Sequence, residues 1–329
     1  MIWMTWRQFR TQAIIGISAL VLIATYLVIL GEQIRHTYKA DIAQCAKGAC
    51  AGVMSEFTGR YGTQVEVLGY ALIVVPALLG MFWGVPLITR ELEAGTHRLA
   101  WNQSVTRGRW LAAKLGFVGL AVAAFTGLYS LLLTWAAGPI DAVHDNRFTP
   151  LLFDARNIVP VAYGVFAFLL AAALGLFVRR TVPAMAAVLV VFAVVQGVVP
   201  TMVRPGYVAP VSQTVALTKA EVSGLSFFGE YGTVGGVTVH GGPWIVSTSA
   251  VLDTSGKEVG HTAWWANCVN VVAPPQLPDC VAKENAHVDV TLQPADRYWS
   301  FQWYETGVFF LLSAVLVGLC AWRVRGRFS

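Results

Sequence analysis

Six stretches of the chain, at 13–31, 67–89, 115–138, 158–178, 182–203 and 306–322, carry no charged side chain. Each is close to the ~20 residues that a helix needs to cross ~30 Å of hydrocarbon, the last being the shortest. In lipid every backbone N–H and C=O must find its partner within the protein, which leaves helices or a closed barrel. A barrel would show alternation over about ten residues, and none is present. The composition points the same way, with 56% hydrophobic and 12% charged residues and a mean hydropathy of +0.60. The expected fold is an all-α polytopic membrane protein with six transmembrane helices. Pro76, Pro86, Pro183 and Pro200 allow local bends in the second and fifth spans.

Lys and Arg set the orientation. With a cytoplasmic N-terminus, the inner segments hold Arg7, Arg10, Arg90, Arg98, Arg107, Arg109, Lys114, Arg179, Arg180, Arg323, Arg325 and Arg327, about half of all basic residues packed into roughly 50 positions. The same assignment puts only Glu91 and Glu93 of the 18 acidic residues inside. Both termini are therefore expected in the cytoplasm, of a bacterial plasma membrane. The net charge of +5 reflects this topology, and no basic groove with interleaved aromatics suggests nucleic acid as a partner.

Residues 1–12, MIWMTWRQFRTQ, place Ile2, Trp3, Trp6 and Phe9 on one arc, with Arg10 reaching for lipid phosphates. An amphipathic helix on the inner surface is expected, retained because no cleavage site follows. The next segment, 13–203, is expected to hold five spans and an inner loop at 90–114. Residues 204–305 contain no span and are expected to form an extracytoplasmic mixed α/β domain. Short interfacial helices are anticipated at 204–230, then strands at GVTVH, WIVSTSAVLDTSGKEV and AHVDVTL. Span 306–322 and a basic tail at 323–329 follow. Cys45, Cys50, Cys268 and Cys280 lie in outer segments, where an oxidising exterior favours the pairs Cys45–Cys50 and Cys268–Cys280 among three possible connectivities. The rival is a metal site using His240, His261 and His287, but no familiar ligand spacing occurs, so no metal is expected.

Much chemistry is missing. The only Gly-Lys pair, Gly256–Lys257, lacks the rest of a phosphate cradle, and neither H-E-x-x-H nor G-x-S-x-G is present. The chain is expected to be no enzyme and to bind no cofactor itself. The six spans hold no ionisable Asp, Glu, Lys, Arg or His, unlike ion-coupled carriers. Any driving force for transport would have to come from another chain.

The loop RELEAGTHRLAW and its continuation ELEAGTHRLAWNQSVTRGRWLAAKL run through Glu91, Glu93, Gly95, Thr96, Leu99, Thr106, Arg107 and Lys114. Acidic residues, Gly-Thr, a spaced leucine, a Thr-Arg pair and a lysine entering the next helix resemble the permeases of type-2 ABC exporters. The actinobacterial branch is most similar, also in MTWRQFR and PADRYWSFQWYETG. Gln103 departs from a proline frequent there. The resemblance implies a coupling helix in this loop, docked on a separate ABC ATPase subunit present in two copies, with ATP and Mg held by that subunit. It implies a second permease copy, as a homodimer, and a pathway faced by the second and fifth spans, with Phe82, Trp83 and Gln196 as lining candidates. An apolar lining would suit a hydrophobic or amphipathic drug, lipid or peptide.

On the residues alone, Gly95 permits a turn closed to a Cβ, Thr106 can cap the helix entering the third span, and the glutamates can face basic side chains on a docking protein. The bland alternative is a solvated loop beside Arg90 and Arg98. Two other functions remain open: a non-transporting sensor or scaffold whose outer domain binds a ligand, which a neighbouring ATPase gene would count against, and a secondary carrier, whose transport would survive ATP depletion.

Overall fold

The computed structural model describes residues 2–42, 51–95, 106–144, 148–239 and 241–326. Cys45, Cys50, Thr96, Leu99 and His240 lie outside these residues. Two compact units emerge: one of helices, taking in residues 1–144, 149–204 and 299–329, and one formed by 145–148 and 205–298. Six helices of the described residues are long and apolar enough to cross a membrane.

In the helical unit α1 (Ile2–Thr37) is followed by a π-helical turn at Tyr38–Ile42, and α2 (Ala51–Leu79) by another at Gly80–Gly84, which leads into α3 (Val85–Glu93). Then come α4 (Arg107–His144), the short α5 (Pro150–Asp154), α6 (Val159–Val178) and α7 (Thr181–Val198), extended by a π turn at Val199–Val203. The last helix, α11 (Tyr298–Arg325), closes the chain.

Helix ends differ from the expectation. Residues 2–12 do not form a separate surface helix but begin α1 without a break. Phe9 explains this: it is buried edge-on against Trp83 at 5.0 Å and Phe117 at 6.3 Å, a site that a helix lying on lipid would not reach. Much of the segment between the first two expected spans, 32–66, is also helical, since Leu30, Ile34, Phe57, Tyr61 and Val65 pack as one cluster joining α1 to α2. The sixth helix has 28 residues rather than sitting at the short limit.

Two proline bends are splinted by α1. Pro86 has no N–H for the carbonyl of Phe82 four residues earlier, and Gln12 Nε2 donates to that oxygen at 2.8 Å. Pro139 leaves the carbonyl of Trp135 in the same position, and Arg35 Nη2 donates to it at 2.6 Å. The small-residue helix α6 is the most buried. Against it lie Gly80 and Gly84, where a Cβ would stand 2.7 Å from the Ala167 oxygen and 2.6 Å from the Ala171 Cβ. That spacing is the small-xxx-small arrangement through which backbones approach in lipid. By contrast α7 buries only the stripe Ala184, Val188 and Phe192.

The second unit is mixed α/β. A three-stranded antiparallel sheet has the order β1 (Val211–Ala216), β5 (His287–Gln293), β4 (Trp244–Thr248), and a small hairpin pairs β2 (Phe227–Phe228) with β3 (Val234–Gly235). Strand β5 turns Val288, Val290 and Leu292 into a core with Trp265, Val251 and Val259. Helices α8 (Lys219–Gly224), α9 (Ala263–Asn270) and α10 (Leu277–Ala282) complete it. Segment 204–230 thus supplies an edge strand as well as helix, because β5 has an open side and alternate residues of 211–216 can pair with it. Of GVTVH, residues 236–239 form no strand.

The expected disulfide Cys268–Cys280 joins α9 to α10. Closing a loop of this size stabilises by about 3 kcal/mol at 25 °C. The paired replacement Cys268→Ala/Cys280→Ala is therefore expected to make this unit cleavable at lower denaturant, by about 2–4 kcal/mol in proteolysis-monitored unfolding.

Candidate functional site

Helix α3 ends at the inner loop, and its two glutamates, two residues apart, point about 200° apart around the axis. Glu91 turns to α4. Its Oε1 pairs with Lys114 Nζ at 2.8 Å, and its Oε2 accepts from Trp110 Nε1 at 3.2 Å. Lys114 Nζ also donates to the Leu87 carbonyl at 3.0 Å and lies 4.9 Å from the centre of the Trp110 ring. Both charges are nearly inaccessible, Glu91 at 6% and Lys114 at 3% exposure.

Glu93 turns to α7. Its Oε1 accepts from the Thr181 backbone N–H at 2.8 Å and its Oε2 from the Thr181 hydroxyl at 3.0 Å, so it serves an orphan donor at the start of that helix. Thr89 joins Thr181 as well, with hydroxyls 2.7 Å apart. The turn between α6 and α7 is tight because Arg179 takes a left-handed conformation, φ 58°, and its N–H returns to the Gly175 carbonyl.

The glutamates are thus engaged within the chain, where they had been expected to face a docking protein. They make α3 a splint between α4 and α7. Gly95 follows with φ 69°, a conformation that suits glycine, and has open space around its Cβ position. Thr106 accepts from the Arg109 N–H at 3.4 Å and so caps α4. Arg107 Nη1 donates weakly to the Gly326 carbonyl at 3.4 Å.

Of the lining candidates, Trp83 is buried against Phe9 and Phe125 and fills the helix core. Phe82 is exposed. Gln196 on α7 is half-buried, and neither atom of its amide has a hydrogen-bond partner.

A second polar cluster was hidden from the sequence reading. Asp154, Tyr163, Arg204 and Glu305 meet at one end of α6, α7 and α11, all nearly inaccessible. Arg204 and Glu305 stand one residue beyond the uncharged runs that end at 203 and begin at 306, where a charge reads as the limit of a span. Arg204 Nε donates to Glu305 Oε2 at 2.7 Å and Nη2 to Oε1 at 2.6 Å, while Nη2 also pairs with Asp154. Gln302 donates to the Phe153 carbonyl at 3.1 Å and bonds the Val159 N–H, tying α11 to the start of α6.

Among the described residues no group of three His, Cys, Asp or Glu is placed to hold a metal ion. No curated protein and no solved structure matches the chain. Among protein families, the model described as ABC-2 membrane transporter related matches residues 17–204. The matched region covers more than half of the chain, including five of the six long helices and the whole α3 junction, so this multi-pass membrane protein belongs to the ABC-2 membrane transporter related family.

Proposed function

We propose that the chain is the transmembrane permease subunit of a type-2 ABC exporter. Two copies, as a homodimer, form a pathway for a hydrophobic or amphipathic substrate, and two copies of a separate ATPase subunit, carrying ATP and Mg, supply the energy. The observation that carries this reading is the splinted α3, tied to two helices directly ahead of residues 96–105, in a chain of the ABC-2 membrane transporter related family. ABC-2 permeases in general work with an ATPase subunit, and this chain has no phosphate-binding loop of its own. The loop is the docking element; Glu91 and Glu93 transmit its motion instead of meeting the ATPase. The disulfide supports an oxidising, external setting for the α/β unit, with both termini in the cytoplasm of a bacterial plasma membrane.

Co-expression with an ATPase subunit, purification in lipid and paired assays of hydrolysis and export test this reading. Gly95→Val strains a left-handed backbone position, and Glu93→Arg removes the carboxylate from the first turn of α7. Losing such a cap costs about 1 kcal/mol, so both variants are expected to insert and fold. Export per ATP hydrolysed is expected to drop about 5- to 150-fold, the span of coupling energies of about 1–3 kcal/mol. Wild-type export by both variants would overturn the assignment of the loop.

A further inference from the structure

We propose that Asp154 is a proton-binding site in the cluster with Tyr163, Arg204 and Glu305, so that in mild acid a neutral carboxylic acid, and not a second carboxylate, closes this end of α6, α7 and α11. The inference rests on donors and acceptors. The Tyr163 hydroxyl lies 2.5 Å from Glu305 Oε1 and 3.1 Å from Asp154 Oδ1. A phenol has one proton and can donate to only one of them. With both acids ionised, Asp154 Oδ1 keeps the Arg204 Nη2 donor that it shares with Glu305, but its contact with the phenol sets lone pair against lone pair inside a site that excludes water. A proton on Asp154 Oδ1 completes the chain: its O–H donates to Tyr163, Tyr163 donates to Glu305, Glu305 takes both Nε and Nη2 of Arg204 in a two-pronged pair, and the lone pair left on Oδ1 accepts the second N–H of Nη2.

Charge leads to the same end. Two carboxylates around one guanidinium leave a net negative charge where Arg204 is 1%, Glu305 0% and Asp154 6% exposed. Among the described residues no other cation is paired with it. Arg156, two residues on, is turned to Asp141 of α4 at 3.2 Å, and α2 faces this segment with Gly69, packed near Leu151 and Ala155. Under Arg204 lies the Phe153 ring, 4.3 Å from the guanidinium carbon. Burial, against the pull of Arg204 and with the push of Glu305, moves the Asp154 carboxyl up to about 6. The ligand is therefore a proton, taken up by the formed cluster in mild acid and released to water as pH rises or if α7 parts from α11.

Infrared spectroscopy of the purified chain, without any ATPase, decides this independently of the proposed function. In protein labelled with carboxyl-¹³C aspartate, an isotope-sensitive protonated-carboxyl band is expected at acid pH, lost with a midpoint of about 6 and absent from Asp154→Asn. The thermal midpoint of the wild type is expected to fall as pH rises through that value, and Asp154→Asn, which keeps a neutral donor, to show a flatter profile. Absence of an aspartate band above the ordinary carboxylate range would overturn the proposal, as would the same pH slope in both proteins. If Asp154→Asn fails to fold, Asp154→Glu takes the acid out of the labelled aspartate set, and persistence of the isotope-sensitive band in that variant would overturn the proposal.

Discussion

Arg204→Leu is expected to destabilise the helical unit by about 3–5 kcal/mol, the cost of removing one partner from a buried ionic group. The guanidinium satisfies three carboxylate contacts at once, and leucine offers none. What remains is Glu305 with a single phenol proton in a site closed to water. The cation over the Phe153 ring goes too, a smaller loss. Thermal or denaturant unfolding in detergent measures the effect. Two companions separate charge from shape. Arg204→Lys keeps the charge but not the two-pronged geometry toward Glu305, and is expected to fall between wild type and leucine. Arg204→Leu/Asp154→Asn/Glu305→Gln removes every formal charge and is expected to recover most of the loss. The deficit of the single leucine variant should also shrink toward acid pH, where the stranded acids can take up protons. A single variant as stable as wild type would mean that the carboxylates find water.

The six long helices were legible because the thickness of a bilayer acts on the sequence locally: twenty residues without a charge leave few alternatives. What a hydropathy run does not carry is where the helix stops. α1 begins at Ile2 because Phe9 finds Trp83 and Phe117, residues distant in sequence. Arg204 and Glu305 were read as loop because a charge ends an apolar window, yet they answer each other across 101 positions. The spans are uncharged only as drawn; α1, α2, α4 and α11 carry charges beyond them. The pair Glu91 and Glu93 was visible as an oddity, and its topological place was read from the sequence. Their roles were not, since Lys114 and Thr181 lie on other helices and no periodicity joins them to α3. Had the glycines of GMFWG been read as a small-xxx-small face, the contact with α6 was within reach. In the α/β unit, alternation in HVDVTLQ revealed the central strand, whereas VSQTVA is exposed along most of its length and had no such pattern to read.

Glu91→Ala is expected to cost about 3–5 kcal/mol, because it leaves the Lys114 ammonium buried with only the Leu87 carbonyl and the Trp110 ring for company. Lys114→Met leaves the carboxylate with the Trp110 N–H and should cost about as much. The double replacement Glu91→Leu/Lys114→Met removes both charges while keeping apolar volume, and is expected to lie within about 1 kcal/mol of wild type. Equilibrium unfolding of the four proteins forms a double-mutant cycle whose interaction energy isolates the pair. The same four proteins also separate two uses of the tie. If Glu91 and Lys114 only fill the junction, the double variant restores export along with stability. If the ion pair fixes the register of α3 against α4, stability returns while export per ATP stays low, since an apolar contact tolerates sliding that a directed pair does not. An interaction energy near zero would place Glu91 in contact with water, and the polar ties of α3 would then be those that Glu93 and Thr89 make to α7.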